Sequence, residues 1–249
     1  LLSLLSLSQV VLIVYVFIRS VGASDATGFV AVDHTNQLIV ISFRGSRSLQ
    51  NFIADLVFLL VPWEICTNCF AHAGFLDSWN GAKSMVQGAV NQARASNPSY
   101  NIIATGHSLG GALATLAAAD LRNSGYSIAL VSELWMLHLT GLGLPLDQYT
   151  YGSPMVGNVP LATFVTNQHG GNYRVTHADD IVPKLPGYPL GYAHVSPEYW
   201  ITSPTGATVS AGDIQVSSGV IDLQGNQGTV DSSVPDHLWY FNSIAGCAV

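Results

Sequence analysis

Charge is what this sequence has least of. Only 9% of its 249 residues are charged, against about 25% in an ordinary soluble domain. Eight Lys and Arg stand against 15 Asp and Glu, a net charge of −7. Eight scattered cations build no basic stripe, which argues against a nucleic-acid partner. So thinly charged a surface suits a secreted protein or one that meets an apolar phase. Cysteine is scarce too: three residues allow one disulfide and leave one over. Cys66-x-x-Cys69 has no second pair, so a zinc site is not expected. No N-x-[ST] sequon with a permitted middle residue occurs, so N-glycosylation is not expected.

Long apolar runs are nearly absent. Residues 1–18 are mostly apolar and end in "VVLIVYVFI", but Ser3, Ser6, Ser8 and Gln9 interrupt them. The run is short for a span of about 20 residues. It reads as a signal or membrane segment, as a buried strand pair, or as an artefact of gene prediction. The first residue is Leu, which reads as a processed or truncated product.

What is present is alternation. A chain this long buries a sizeable core as one α/β domain, 1–249. "GFVAVDHTNQLIVISFRGS" (28–46) predicts two strands around a turn, and "YNIIATG" (100–106) a buried strand. Phe75, Trp79, Ala82, Val86 and Val90 fall at helical spacing within 74–98, and Asn97-Pro98 stops that helix. Residues 108–125 predict a helix, 148–154 a strand and 159–168 a helix, and 172–186 start as a strand and end in a polar turn. Strand–helix alternation of this kind predicts a central, mainly parallel sheet with helices on both faces.

Chemistry concentrates at "ATGHSLGGALATLAAAD" (104–120). A strand, then Gly-His-Ser108-Leu-Gly, then a helix is the setting of a nucleophile elbow. A serine that merely caps the helix is the competing reading. A nucleophilic serine needs a base and an orienting acid, in the chain order Ser, Asp or Glu, His. Asp179 and Asp180 follow the strand "NYRVT", and His194 and His237 come later; His138, His169 and His177 come too early.

Six motifs together resemble the fungal class 3 lipases: "LIVISFRGSRS", "TGHSLGGALATLAAADLR", "YTYGSPMVGN", "YRVTHADDIVPKLP", "GYAHVSPEYWI" and "DHLWYFNSIAGC". The likeness covers about residues 21–128 and 149–249. It implies an α/β-hydrolase fold with a short helical lid. It also implies a triad of Ser108, Asp180 and His237, with His194 structural. The oxyanion hole it implies is Ser46, after "LIVISFRG", with the N–H of Leu109. The lid aligns with 47–56, carrying Leu49, Phe52, Ile53 and Leu56 near helical spacing. Phe58, Leu59, Leu60 and Trp63 beyond it read as a docking surface for lipid. The likeness further implies a Cys66–Cys69 disulfide and hence an oxidising compartment. Cys247 matches a family cysteine whose amino-terminal partner is absent here.

Two segments depart from the family pattern. Residues 1–20 replace its amino-terminal helix and cysteines. Residues 131–148, "VSELWMLHLTGLGLPLDQ", are an 18-residue insertion into what is otherwise the single strand "GYSIALYTYGSP". Val-Ser at its start, Leu-Thr within it and Gln at its end are codable by splice-donor, branch and acceptor sequences. The insertion therefore reads as an intron retained in frame, or else as a genuine inserted loop.

The expected function is a secreted, monomeric triacylglycerol lipase working on lipid esters at an interface, with no metal or cofactor. The alternatives are a soluble carboxylesterase or feruloyl esterase on the same site, an inactive lipid-binding relative, and a membrane-anchored form.

Overall fold

The computed structural model describes residues 12–19, 26–54, 57–126 and 146–244. In chain order the elements are β1 (Leu12–Arg19), β2 (Thr27–Asp33), β3 (Leu38–Phe43), α1 (Leu49–Ala54), β4 (Leu60–Pro62), β5 (Phe70–His72), α2 (Ala73–Ser96), β6 (Asn101–His107), α3 (Leu109–Asn123), β7 (Leu146–Tyr151), β8 (Gly157–Asn158), α4 (Val159–Asn167), β9 (Asn172–His177), β10 (Tyr192–Ala193), β11 (Glu198–Ile201), β12 (Ile214–Ser217), α5 (Val234–His237), β13 (Trp239–Tyr240) and β14 (Asn242–Ser243).

Eight strands form the main sheet in the order β1-β2-β3-β6-β7-β9-β11-β12. From β3 to β11 all neighbours are parallel, and antiparallel pairs close both edges. The parallel block follows from the crossovers between its strands, which are α-helical as far as β9. A second sheet, β10-β8-β5-β4, carries the Cys66–Cys69 disulfide in the loop between β4 and β5.

Apolar periodicity sets the packing. The α2 stripe of Phe75, Trp79, Ala82, Val86 and Val90 is buried against α3 and the sheet. Burial of each large side chain there contributes about 1.5–3 kcal/mol. Trp79 donates its indole N–H to Asp120 Oδ2 at 2.7 Å, and Lys83 Nζ lies 2.8 Å from the same oxygen, so α2 is tied to α3. Helix α3 is buried from Gly110 to Arg122, and its run of Ala and Gly lets it sit close to the strands.

Three expectations are refined here. Residues 12–19 are a strand, paired antiparallel with β2, rather than a helical span. Among the described residues no helix is long and apolar enough to cross a membrane. The lid segment forms α1, of six residues; Leu56 lies outside the described residues. Most of the insertion, 131–145, also lies outside them, but its last three residues do not interrupt the core strand. Leu146, Asp147 and Gln148 are the first half of β7, paired with Ile102, Ile103 and Ala104 of β6.

Candidate active site

Strand β6 turns into α3 at one residue. Ser108 holds φ 57° and ψ −128°, a region that costs a non-glycine residue about 1–3 kcal/mol and persists only when its surroundings impose it. They do so by crowding. A Cβ on Gly106 would stand 2.2 Å from the Gly110 carbonyl oxygen, and one on Gly110 would stand 2.2 Å from that of Phe43. Only glycines permit so tight a strand-to-helix reversal. The Ser108 N–H donates to the Tyr151 carbonyl at 2.9 Å, tying the elbow to β7. The hydroxyl makes no capping bond; Oγ is buried without a hydrogen-bond partner. The competing reading of Ser108 as a cap is therefore not what the chain adopts.

The acid and base arrive from distant segments. Asp180 follows β9, and its carboxylate is fully buried. His237 ends α5 and is 1% exposed. Its Nδ1–H donates to Asp180 Oδ2 at 2.8 Å, with Oδ1 at 3.0 Å. That bond fixes the tautomer and leaves Nε2 as the basic atom, buried without a partner. Two more donors satisfy the carboxylate: the Val182 N–H to Oδ1 at 2.8 Å and the Tyr240 hydroxyl to Oδ2 at 2.5 Å. Burial, then the Asp180 charge, push the Tyr240 phenol well above its usual range, so it stays a donor. Asn226 Nδ2 donates to the Asp180 carbonyl at 3.0 Å, and Asp180 bridges to Ser233 in parallel fashion.

His107 completes the cluster from the elbow side. Its ring lies 4.3 Å from that of His237, and its Nε2–H donates to the His237 carbonyl at 2.9 Å. Burial first, and the neighbouring His237 second, depress its pKa to about 3, so it remains neutral. Leu109 opens α3, where unpaired N–H groups favour negative charge. Gly45, the residue before Ser46, lies against the turn: a Cβ on it would be 3.4 Å from Ser108 Cβ.

The remaining predicted residues are placed as follows. Asp179 is not hydrogen-bonded to His237; its N–H donates to Asp236. His194 is turned away and donates through Nε2 to the Pro183 carbonyl at 2.7 Å. His177 is fully buried between the carbonyls of Asp236 and Ser203. Leu49 starts α1, while Phe52 and Ile53 are half-buried on it, and Phe52 stacks on Phe75 with centroids 6.3 Å apart. Phe58 and Leu59 are 43% and 55% exposed, but Leu60 and Trp63 are half-buried and Trp63 packs on the core. No group of three metal-ligating side chains occurs among the described residues. Tyr240, His107 and Asp236 were quoted within motifs but given no role by sequence reasoning. Only "DHLWYF", with an ionisable residue and a phenol flanking His237, carried a signal for two of them.

Comparison with known proteins identifies the family. Residues 40–189 match the family model for lipase (class 3). The secreted mono- and diacylglycerol lipase A of Penicillium cyclopium is 44% identical over 224 residues, covering 89% of this chain and 68% of the relative. Secreted mono- and diacylglycerol lipase 1 of Fusarium solani is 40% identical over 230 residues, covering 92% of this chain and 64% of the relative. The crystal structure of mono- and diacylglycerol lipase from Aspergillus oryzae superposes with a TM-score of 0.83 at 38% identity, covering 95% of this chain and 82% of that one. In sequence and in fold alike, the chain belongs to the class 3 lipases.

Proposed function

We propose that this lipase is secreted and monomeric, and hydrolyses acylglycerol esters at a lipid–water interface through Ser108, His237 and Asp180. The observation that carries the reading is the pair of buried, unpartnered atoms, Ser108 Oγ and His237 Nε2, with Asp180 bonded behind the imidazole. Unpaired buried polar atoms cost about 1–3 kcal/mol each, and they persist where a substrate supplies the missing partner.

The steps follow from the groups present. His237 Nε2 takes the Ser108 proton as Oγ attacks the ester carbonyl carbon, and Asp180 stabilises the imidazolium. The oxyanion rests on the N–H groups of Ser46 and Leu109, each worth roughly 10²–10³ in rate. Collapse expels the glyceride alkoxide, which takes the proton from His237. Water, deprotonated by His237, then hydrolyses the acyl-enzyme and releases fatty acid. No step calls for a metal or cofactor.

Apolar exposure supports interfacial work. Val57, Phe58 and Leu59 lie exposed just beyond α1, and Val234, Leu238 and Phe241 lie exposed beside His237 along the chain. The disulfide fits an oxidising, extracellular compartment, as do the Penicillium and Fusarium relatives, which are named as secreted. Those names point to mono- and diacylglycerols as substrates beside triacylglycerol.

The test is fatty-acid release from tri-, di- and monoacylglycerol emulsions against a short ester below its solubility limit, with Ser108→Ala as control. Emulsion activity that vanishes in Ser108→Ala supports an interfacial serine lipase. Activity on the soluble ester alone moves the assignment to a carboxylesterase. Silence on both, from a folded sample, leaves a lipid-binding relative.

A further inference from the structure

Residue 236 sits between the two loops that carry the acid and the base, and every polar group it has is engaged. Its carboxylate accepts the Asp179 N–H through Oδ2 at 3.1 Å and the Thr205 hydroxyl through Oδ1 at 2.5 Å. Its own N–H donates to Ser233 Oγ at 3.1 Å, and its carbonyl lies 2.9 Å from His177 Nδ1. Asp179 directly precedes Asp180, and Asp236 directly precedes His237. One side chain therefore joins the backbone beside the acid to the backbone beside the base, across 57 residues of sequence.

We propose that Asp236 is a positioning residue for the lipase reaction, whose carboxylate sets the separation of His237 from Asp180. The proposal rests on the triad assigned above. Without this link the short helix α5 is held to the acid segment by the Ser233 backbone bonds to Asp179 and Ile181, by His177 on the Asp236 carbonyl, by the Tyr240 hydroxyl on Asp180 and by the Asp180–His237 bond itself. Of the side-chain links, only the Asp236 carboxylate joins the two residues that directly precede the acid and the base. A misplacement of about 1 Å costs up to about 10²-fold in rate.

Thr205 widens the clamp. It lies in the loop after β11, so the carboxylate ties three segments: the turns after β9 and β11, and α5. Partial burial opposes ionisation of Asp236. The Thr205 hydroxyl, the Asp179 N–H and Ser233 outweigh it and hold the carboxyl below its usual range.

The clamp is geometric, and that separates it from a charge effect. An amide at this position keeps both bonds: its oxygen accepts from the Asp179 N–H, and its NH₂ donates to Thr205 Oγ, because a hydroxyl accepts as readily as it donates. The full chain is assayed on 4-nitrophenyl butyrate below its solubility limit, as wild type, Asp236→Ala, Asp236→Asn, Thr205→Val and Ser108→Ala, with melting temperatures for each. Asp236→Ala is expected to lose roughly 10- to 100-fold in kcat with KM little changed. Asp236→Asn is expected to recover most of that loss, and Thr205→Val to fall between them. Wild-type kcat in folded Asp236→Ala overturns the proposal. Equal losses in the Ala and Asn variants also overturn it, in favour of a charge effect on His237. Full activity in Ser108→Ala instead overturns the triad itself, whatever the Asp236 variants do.

Discussion

Deleting residues 131–148 should stabilise this protein, and the reason lies in β7. Deletion joins Leu130 to Tyr149, so that Ile128, Ala129 and Leu130 take the places of Leu146, Asp147 and Gln148. The strand alternates buried and half-buried positions beginning with a buried Leu146, and the replacement keeps that alternation. The first slot exchanges Leu for Ile, nearly neutral at about 1 kcal/mol or less. The third slot decides the sign. Gln148 is 2% exposed there and leaves Oε1 without a partner, a cost of about 1–3 kcal/mol. A leucine in that slot removes the cost and adds about 1.5–3 kcal/mol of burial.

Two losses oppose this. The Gln148 Nε2 bond to Asn172 Oδ1, 2.7 Å, disappears, although Arg122 still donates to the same oxygen at 2.8 Å. The Asp147 carboxylate no longer accepts the Gly171 N–H at 2.6 Å. Each lost bond is worth about 0.5–1.5 kcal/mol, or up to about 3 for the charged acceptor. Arg122 keeps its bond to the strand backbone, since Nε donates to the carbonyl of residue 146. Shortening the connection between α3 and β7 from 22 residues to four adds about 1.5 kcal/mol. The net gain is about 1–3 kcal/mol, which raises Tm by roughly 2–10 °C in a domain of this size. Scanning calorimetry of the full and deleted chains, beside their lipase activities, measures it. A deleted chain that melts lower, or a Leu130→Gln variant of it that melts no lower than its parent, refutes the reasoning.

Two further outcomes follow from the site. Gly152 has φ +56°, and a Cβ there would lie 2.9 Å from Asp180 Oδ2, His237 Nδ1 and the Tyr240 hydroxyl at once; Gly152→Ala should cut kcat by roughly 10²-fold or more, and near-normal turnover would contradict the packing described. Buried His107, its pKa depressed from 6.5 to about 3, binds a proton in the unfolded chain before the folded one. Its contribution to stability is thus full above pH 6.5 and lost as pH falls towards 3, at up to about 1.4 kcal/mol per pH unit. His72, depressed by burial to about 4, adds in the same direction. Urea unfolding at several pH values between 7 and 4 should therefore give a shallower slope for His107→Asn than for the wild type; identical slopes would count against a neutral buried His107.

What the sequence made legible was whatever is local. Strand, glycine-bounded serine and alanine-rich helix lie within 101–123, and hydrophobic period alone separates β6 from α3. The choice between two adjacent acids was not local. Asp179 and Asp180 leave the same turn, and residue types alone do not say which carboxylate meets His237; the family likeness pointed to Asp180, the one bonded to it. Two strands were hard to read for opposite reasons. β1 is continuously apolar, so periodicity does not separate strand from helix there. β7 has two sequence segments that suit one slot, 128–130 and 146–148, and patterning does not choose between them.

Furthest from legibility were the contacts that hold the base. Tyr240 reaches Asp180 across 60 positions, His107 reaches His237 across 130, and Asp236 reaches Asp179 across 57. None of these residues has a periodicity or a spacing that points to its partner. Each is positioned by a different element, so the contact exists only once β6, β9 and the carboxyl-terminal segment are assembled. The same physics explains why the elbow tolerates strain while the acid–base loops need cross-links. A turn between a buried strand and a buried helix is held from both sides by the core. His237 sits on a four-residue helix bordered by exposed Val234 and Leu238, and short helices are marginal without tertiary support. Precision at the base is therefore supplied by side-chain hydrogen bonds between loops.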